Sequence, residues 1–166
     1  MRFLLIAGAG AMALVLAGCM ATAPQSYTLT EAFREADFAH YVGAGPASLH
    51  GQAFLKTVGG DVKTCAGNKV FLMPATPYNT EIIAHASGLT PLANRDANAD
   101  RFTKSSMCDA EGRFTFDKVP ATRWFVVTDV TWGVPTQVET MFGPIVTTKQ
   151  QGGELVQSID LKPGAN

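Results

Sequence analysis

The sequence is that of a small, nearly uncharged protein. It has 166 residues, of which 46% are hydrophobic, and 13 basic and 14 acidic side chains leave a formal net charge of −1. A surface without a strong electrostatic field gives no reason to expect that the protein binds nucleic acid, or an anionic membrane, through a basic patch. The length predicts one globular domain with its own core.

The first residues have the pattern of an export signal. Arg2 precedes an apolar run from Phe3 to Leu16, as in a signal peptide. The run is shorter than the roughly 20 apolar residues that a membrane-spanning helix needs. Its end, residues 16–19 (LAGC), resembles the bacterial lipobox, in which the cysteine thiol receives a diacylglycerol before cleavage. We therefore predict a signal peptide over residues 1–18 and a lipid anchor, including a palmitate, at Cys19.

The lipobox resemblance also implies a location. In two-membrane bacteria an Asp after the lipidated cysteine usually signals retention in the inner membrane, and here that residue is Met20. We expect the mature chain to be anchored in the outer membrane through this lipid, to face the periplasm, and to bind an envelope protein of unknown identity.

The two remaining cysteines, Cys65 and Cys108, form an even pair in an exported chain. Such a pair predicts a disulfide, because the compartment outside the cytoplasm is oxidising. The alternative, a thiolate metal or redox site, lacks the CxxC spacing.

A tether and one short helix precede the predicted strands. Residues 19–29 are mostly small and polar and include a proline, which suits a tether. Thr28 and Glu31 fit a capping box, and apolar residues then recur at helical spacing up to Gly43. We predict an amphipathic helix over 30–43, which covers one end of the following domain or, alternatively, binds a partner.

From residue 47 the hydrophobic pattern changes to a period of two, which indicates strands. About seven short strands without long helical patterns between them favour an antiparallel β-sandwich. The turn at 109–112 (DAEG) is suited to a hairpin. The predicted strands cover Leu49–Leu55, Lys69–Met73, Thr80–Ala84, Phe102–Cys108, Arg113–Phe116, Arg123–Val130 and Glu154–Leu161.

Three segments resemble the carboxypeptidase regulatory-like family. Met107–Val127 resembles its turn, strand and proline corner, Leu49–Leu55 its opening strand, and Cys65–Pro74 its second strand. The resemblance covers residues 47–162 and implies an all-β fold, a seven-stranded antiparallel transthyretin-like (prealbumin-like) β-sandwich. Such modules are noncatalytic parts of peptidases, receptors and adhesins. The segment 78–101 is longer than a hairpin in this fold needs.

The residues do not indicate an active site or a cofactor. His40, His50 and His85 lack a second ligand at metal spacing, so no metal site is predicted. Asp96, Asn98 and Asp100 match the start of a calcium-binding EF-hand loop, but its later glycine and glutamate are missing; a looser calcium loop or an Asx-rich turn remains. We predict that the protein is not an enzyme; an unrecognised enzyme would require His50, His85 and carboxylates in one pocket.

Two aromatic residues are candidates for binding a ligand. Tyr78 and Trp132 lie beside Pro77 and Gly133 in predicted loops, where their ring faces could stack on a sugar or a peptide. The sequence thus predicts a noncatalytic structural or protein-binding lipoprotein. The alternative is a carbohydrate- or peptide-binding accessory lipoprotein, if Tyr78 and Trp132 are exposed together.

Overall fold

A computed structural model of the protein describes residues 26–86 and 90–164. The predicted signal peptide, Cys19 and residues 19–25 of the predicted tether lie outside the described residues. Within the described ranges, no helix has the length and apolar character needed to cross a bilayer.

The fold is all-β, as predicted, and its strands are antiparallel. Within residues 26–86 and 90–164 there are eight strands, one more than the sequence predicts. They are β1 (Ala47–Gln52), β2 (Phe54–Lys56), β3 (Val62–Thr64), β4 (Lys69–Pro74), β5 (Lys104–Met107), β6 (Arg113–Val119), β7 (Arg123–Thr140) and β8 (Gly143–Asp160).

The described strands form two layers and a small hairpin. β5, β4, β7 and β8 lie side by side in one sheet, β1 pairs with β6, and β2 pairs with β3. Apolar side chains of the β1–β6 pair and of the larger sheet share one core, which we call the main core cluster. It includes Leu49, Phe114, Val70, Leu72 and Trp124. Sharing a core between two sheets makes the arrangement sandwich-like.

The predicted disulfide is present and lies in the main core cluster. Cys65 follows β3 and Cys108 follows β5, with their Cα atoms 5.8 Å apart. Both cysteines are buried. The bond thereby joins the connection before β4 to the connection after β5.

A second core cluster lies among the helices. The helices in the described residues are a 3-10 helix at Glu35–Tyr41, α1 (Pro77–Ala86) and a 3-10 helix at Ala97–Phe102. The cluster contains Leu29, Phe38, Tyr78, Ile82 and Ala99.

The N-terminal predictions need two corrections. Leu29 is buried and Tyr27 forms a β-bridge with Leu92, so residues 27–29 belong to the domain and not to the tether. The helix predicted over 30–43 is shorter, Glu35–Tyr41, and is of the 3-10 type. The N–H groups of Thr30 and Glu31 donate to the Glu81 carboxylate, so this segment is held by tertiary contacts.

The strand predicted at Thr80–Ala84 is wrong, because this segment belongs to α1. Thr76 precedes the helix and its hydroxyl accepts the N–H of Asn79 at 3.2 Å, while Pro77 occupies the first helical position. Both features favour a helix start. A five-residue apolar segment does not by itself distinguish a strand from a helix.

Four further strand predictions differ from the structure. Ala53 divides the first predicted strand, so that β1 and β2 belong to different sheets. The strand predicted at Phe102–Cys108 is restricted to β5, because the preceding 3-10 helix ends at Phe102. The last two predicted strands are the inner ends of one long hairpin, in which Arg123 pairs with Asp160 and Thr140 with Gly143.

Candidate functional site

The structure does not form the predicted stacking pair of Tyr78 and Trp132. Tyr78 is only 1% exposed, in the second core cluster, and its hydroxyl accepts the backbone N–H of Asp96 at 2.5 Å. Its ring is therefore closed to a ligand. Pro77 places Tyr78 in the first turn of α1 and not in a loop, which corrects the prediction for this residue.

Trp132, in contrast, lies at the border of the main core cluster and lines a groove. Because side chains alternate along a strand, Trp132 shares a face of β7 with Trp124 and Val130, which are both fully buried. Its ladder partner is Gln151 on β8, whose side chain is on the same face. The indole is thus held by the core on one side and is partly exposed on the other.

The opposite wall of the groove is the end of the β2–β3 hairpin. Leu55 and Lys63 are ladder partners and share a face. Leu55 packs on the main core cluster and lies 3.5 Å from where a Cβ on Gly153 would be. The hairpin therefore lies against β8 near Gly153, and the face that carries Leu55 and Lys63 is turned toward β7 and β8.

Hydrogen bonds fix the turn between β2 and β3. Thr57 donates its N–H to the Asp61 carbonyl at 2.8 Å, and the Asp61 N–H donates to the Thr57 hydroxyl at 3.0 Å. Gly60 has φ of +94°, a value that glycine adopts without strain. The wall of the groove is therefore preorganised.

The groove has the composition of a site for a polar ligand. Its volume is about 520 Å³, and the Lys63 ammonium lies 3.8 Å from the Asp61 carboxylate. An indole face surrounded by donors and acceptors can stack on an apolar ring face and hydrogen-bond the ring substituents. The lining residues are Lys56, Thr57, Val58, Gly59, Asp61, Lys63, Trp132, Gly133, Val134, Pro135 and Gln151.

A second cavity lies between the two sheets, where β1 and β8 face each other. Its volume is about 340 Å³, and its lining includes Leu49, Phe114, Val126 and Leu155. His50 and three polar side chains also line it, but no carboxylate or lysine does among the described residues. It is suited to an apolar group and less suited to a sugar.

The histidines and acidic residues of the sequence analysis do not gather in one place. His50 lies on β1, with Nδ1 3.2 Å from the Thr115 hydroxyl, whereas His85 stacks on Tyr27 at a ring distance of 3.6 Å. Asp96 accepts the Asn98 N–H at 2.8 Å and caps the following 3-10 helix. In the described part of the chain, no three His, Cys, Asp or Glu side chains are placed to hold a metal ion.

Glu81 on α1 holds the N-terminal segment to the second core cluster. Its carboxylate accepts the N–H groups of Thr30 at 2.8 Å and Glu31 at 2.7 Å, and the Tyr27 hydroxyl at 2.9 Å. These donors favour the charged form. The backbone N–H groups of Thr30 and Glu31 are the main cause that lowers the pKa of Glu81 from 4.5 to about 2.

Sequence reasoning found Trp132 but missed the polar residues of the groove. Lys56, Asp61, Lys63 and Gln151 lie up to 95 positions apart in the chain and show no motif. The pairing of β7 with β8 brings Gln151 beside Trp132. A hairpin signal was present at Gly59 and Gly60, but nothing in the sequence showed that this hairpin faces Trp132.

Comparison with known proteins gives a structural likeness. No protein-family model matches the chain, and no curated protein matches it. A crystal structure from Pseudomonas aeruginosa, named as a candidate carbohydrate-binding protein, superposes with a TM-score of 0.62. The two sequences are 20% identical, and the match covers 80% of this chain and 92% of that chain. At this identity the likeness shows that the two chains share a fold.

Proposed function

We propose that this protein is a noncatalytic binding module of the bacterial envelope and that it binds a saccharide in the Trp132 groove. The observation that carries the proposal is the placement of a partly exposed indole opposite Lys63 and Asp61, with Gln151 beside it. The likeness to a protein named as a candidate carbohydrate-binding protein supports this alternative from the sequence analysis.

The chemistry of the groove suits a sugar ring. The indole offers a flat apolar face for the C–H face of the ring. Asp61 and the Gln151 carbonyl can accept hydrogen bonds from sugar hydroxyls, and Lys63 and the Gln151 amide can donate them.

The remaining parts of the proposal come from the sequence. A lipid on Cys19 would hold the module in the outer membrane, facing the periplasm. The segments 49–55, 65–74 and 107–127 support membership of the carboxypeptidase regulatory-like family and its seven-stranded transthyretin-like sandwich. An envelope protein partner also stays a prediction. The outer edge of β8 is suited to pairing with a partner strand, because no strand lies beside it in the described residues.

The proposal can be tested with the full chain on an array of bacterial glycans, followed by titration of the best saccharide. Trp132→Ala should weaken binding by about tenfold or more, which corresponds to about 1.4 kcal/mol of lost stacking. Trp132→Phe should retain most of the affinity, because a flat ring remains.

Phe142→Ala is the matched control, since Phe142 is an exposed aromatic residue outside the groove. It should bind as tightly as the unsubstituted chain. Thermal unfolding of each variant checks that the domain is intact. The absence of any glycan signal, or equal affinity of Trp132→Ala and the unsubstituted chain, would contradict the proposal.

A further inference from the structure

The outer half of the β7–β8 hairpin, residues 131–152, extends beyond the sheet. β4 pairs with β7 as far as Thr128. In the part of the chain that the structure describes, β7 and β8 beyond that point pair with each other up to Thr140 and Gly143. Ten residues of strand, 131–140, correspond to about 33 Å. We call residues 131–152 the ribbon.

Large apolar side chains are exposed at the end of the ribbon. Met141 is 90% exposed and Phe142 is 94% exposed, and both lie in the turn. Val138 and Ile145, which are ladder partners, are exposed on one face of the ribbon, and Val146 is exposed on the other. We call residues 140–148 the ribbon tip; its apolar surface covers both faces and the end.

The ribbon tip carries no charge. The nine residues 140–148 (TMFGPIVTT) contain no Asp, Glu, Lys or Arg, and Glu139, the exposed ladder partner of Pro144, is the charged residue nearest the turn. Transfer of the turn with Met141 and Phe142 from water to an apolar environment therefore requires no buried charge, provided that Glu139 stays at the water boundary. The threonines at its border are compatible with a polar boundary.

Two backbone groups of the turn, the Phe142 N–H and the Gly143 carbonyl, are hydrogen-bonded within it. The Phe142 N–H donates to the Thr140 hydroxyl at 3.3 Å, and this hydroxyl donates to the Gly143 carbonyl at 2.7 Å. Unpaired backbone groups are costly in an apolar medium. The Thr140 side chain thus lowers the free-energy cost of removing this turn from water.

From these observations we infer that the ribbon tip inserts into the surface of a lipid bilayer. A groove on a protein would cover one face of the ribbon, whereas a bilayer surrounds an inserted tip and covers both faces and the end. Insertion must be shallow, because the outer edges of a two-stranded ribbon carry backbone groups that need water. The inference depends neither on the saccharide site nor on the lipid at Cys19.

The depth of the tip can be measured with a fluorescent label. The full chain with Met141→Cys is labelled with an environment-sensitive dye and reconstituted into vesicles of phosphatidylethanolamine and phosphatidylglycerol. We expect a blue-shifted emission, and quenching by lipids that carry a nitroxide at a shallow acyl position. Adding Phe142→Ser to the labelled chain should reduce both effects, since it removes the larger apolar side chain of the turn.

Two controls make the result specific to the ribbon tip. Val58→Cys places the same label on the exposed turn between β2 and β3, where the emission should stay that of a label in water. The unsubstituted chain, taken through the same labelling, corrects for any reaction at Cys19. A label at 141 that is unquenched and in water would overturn the inference. Protection of this label by added envelope proteins alone would also overturn it, and so would disulfide formation between two copies of the unlabelled Met141→Cys variant.

Discussion

The two halves of the β7–β8 hairpin have the same pattern of side chains and opposite environments. In the inner half, Trp124 and Val130 are fully buried; in the ribbon, Val138 and Ile145 on the same face are 41% and 49% exposed. One regular ladder of antiparallel pairs joins the two halves. Burial therefore changes along the hairpin without a change in its secondary structure.

Neighbouring elements explain the difference in burial between the two halves. The inner half has β4 at one edge, and the β1–β6 pair covers its inner face. The ribbon has the β2–β3 hairpin against its base, and this contact forms the Trp132 groove. An isolated two-stranded hairpin is marginally stable in water, so the ribbon depends on its base for order and is available for binding at its tip.

The largest expected change is in the free energy of unfolding, and it distinguishes the two halves directly. Trp124→Ala should lower the free energy of unfolding by about 3–5 kcal/mol, because it leaves a cavity in the main core cluster and removes the indole N–H that donates to the Pro120 carbonyl at 3.0 Å. Val138→Ala on the same face should cost less than about 1 kcal/mol. Urea unfolding of both variants measures the difference, and equal losses would mean that the ribbon is covered in solution.

The next effect concerns the disulfide at the boundary between the halves. The connection that contains Cys65 continues to Asn68, whose amide donates to the Asp129 carbonyl at 2.7 Å, just where the ribbon begins. Replacing both Cys65 and Cys108 by Ala should lower the free energy of unfolding by about 2–4 kcal/mol, since the unfolded chain gains conformational freedom. An unchanged midpoint of thermal unfolding in the double variant would argue against this role.

The smallest effect depends on pH and concerns the second core cluster. The pKa of Glu81 is about 2 in the folded protein, below its ordinary value of 4.5. Its carboxylate therefore stabilises the fold above pH 4.5, and this contribution is lost as the pH falls from 4.5 toward 2. Thermal unfolding between pH 7 and pH 3 should show a smaller pH dependence for Glu81→Gln than for the unsubstituted chain. Glu139→Gln on the ribbon is the control, and a pH dependence that Glu81→Gln leaves unchanged would refute the assignment.

Local patterns predicted the parts of the fold that local chemistry decides. Alternating apolar residues identified the inner strands, and the even pair of cysteines identified the disulfide. Thr80–Ala84 has the apolar composition of a strand, but it lies in a helix that starts upstream, with Thr76 as the cap and Pro77 in the first helical position. The ribbon is not apparent in the sequence, because its strand pattern is interrupted by Gly133, Pro135, Gly143, Pro144, Gly152 and Gly153.

Of the two predicted ligand-binding residues, only one lines the candidate groove. Trp132 was identified as an aromatic residue available to a ligand, but its predicted partner Tyr78 is buried by the helices of the second core cluster. Only the approach of the β2–β3 hairpin to Gly153 brings Lys63 and Asp61 opposite the indole.

By itself the sequence determined the all-β class and the cysteine pair. It also carries the pattern of an export signal and the charge-free segment 140–148. Each of these is a property of neighbouring residues or of composition. Only the tertiary structure decided which aromatic residue faces a groove and which apolar residues stay exposed, because exposure depends on elements that are distant in the chain and pack on the same surface.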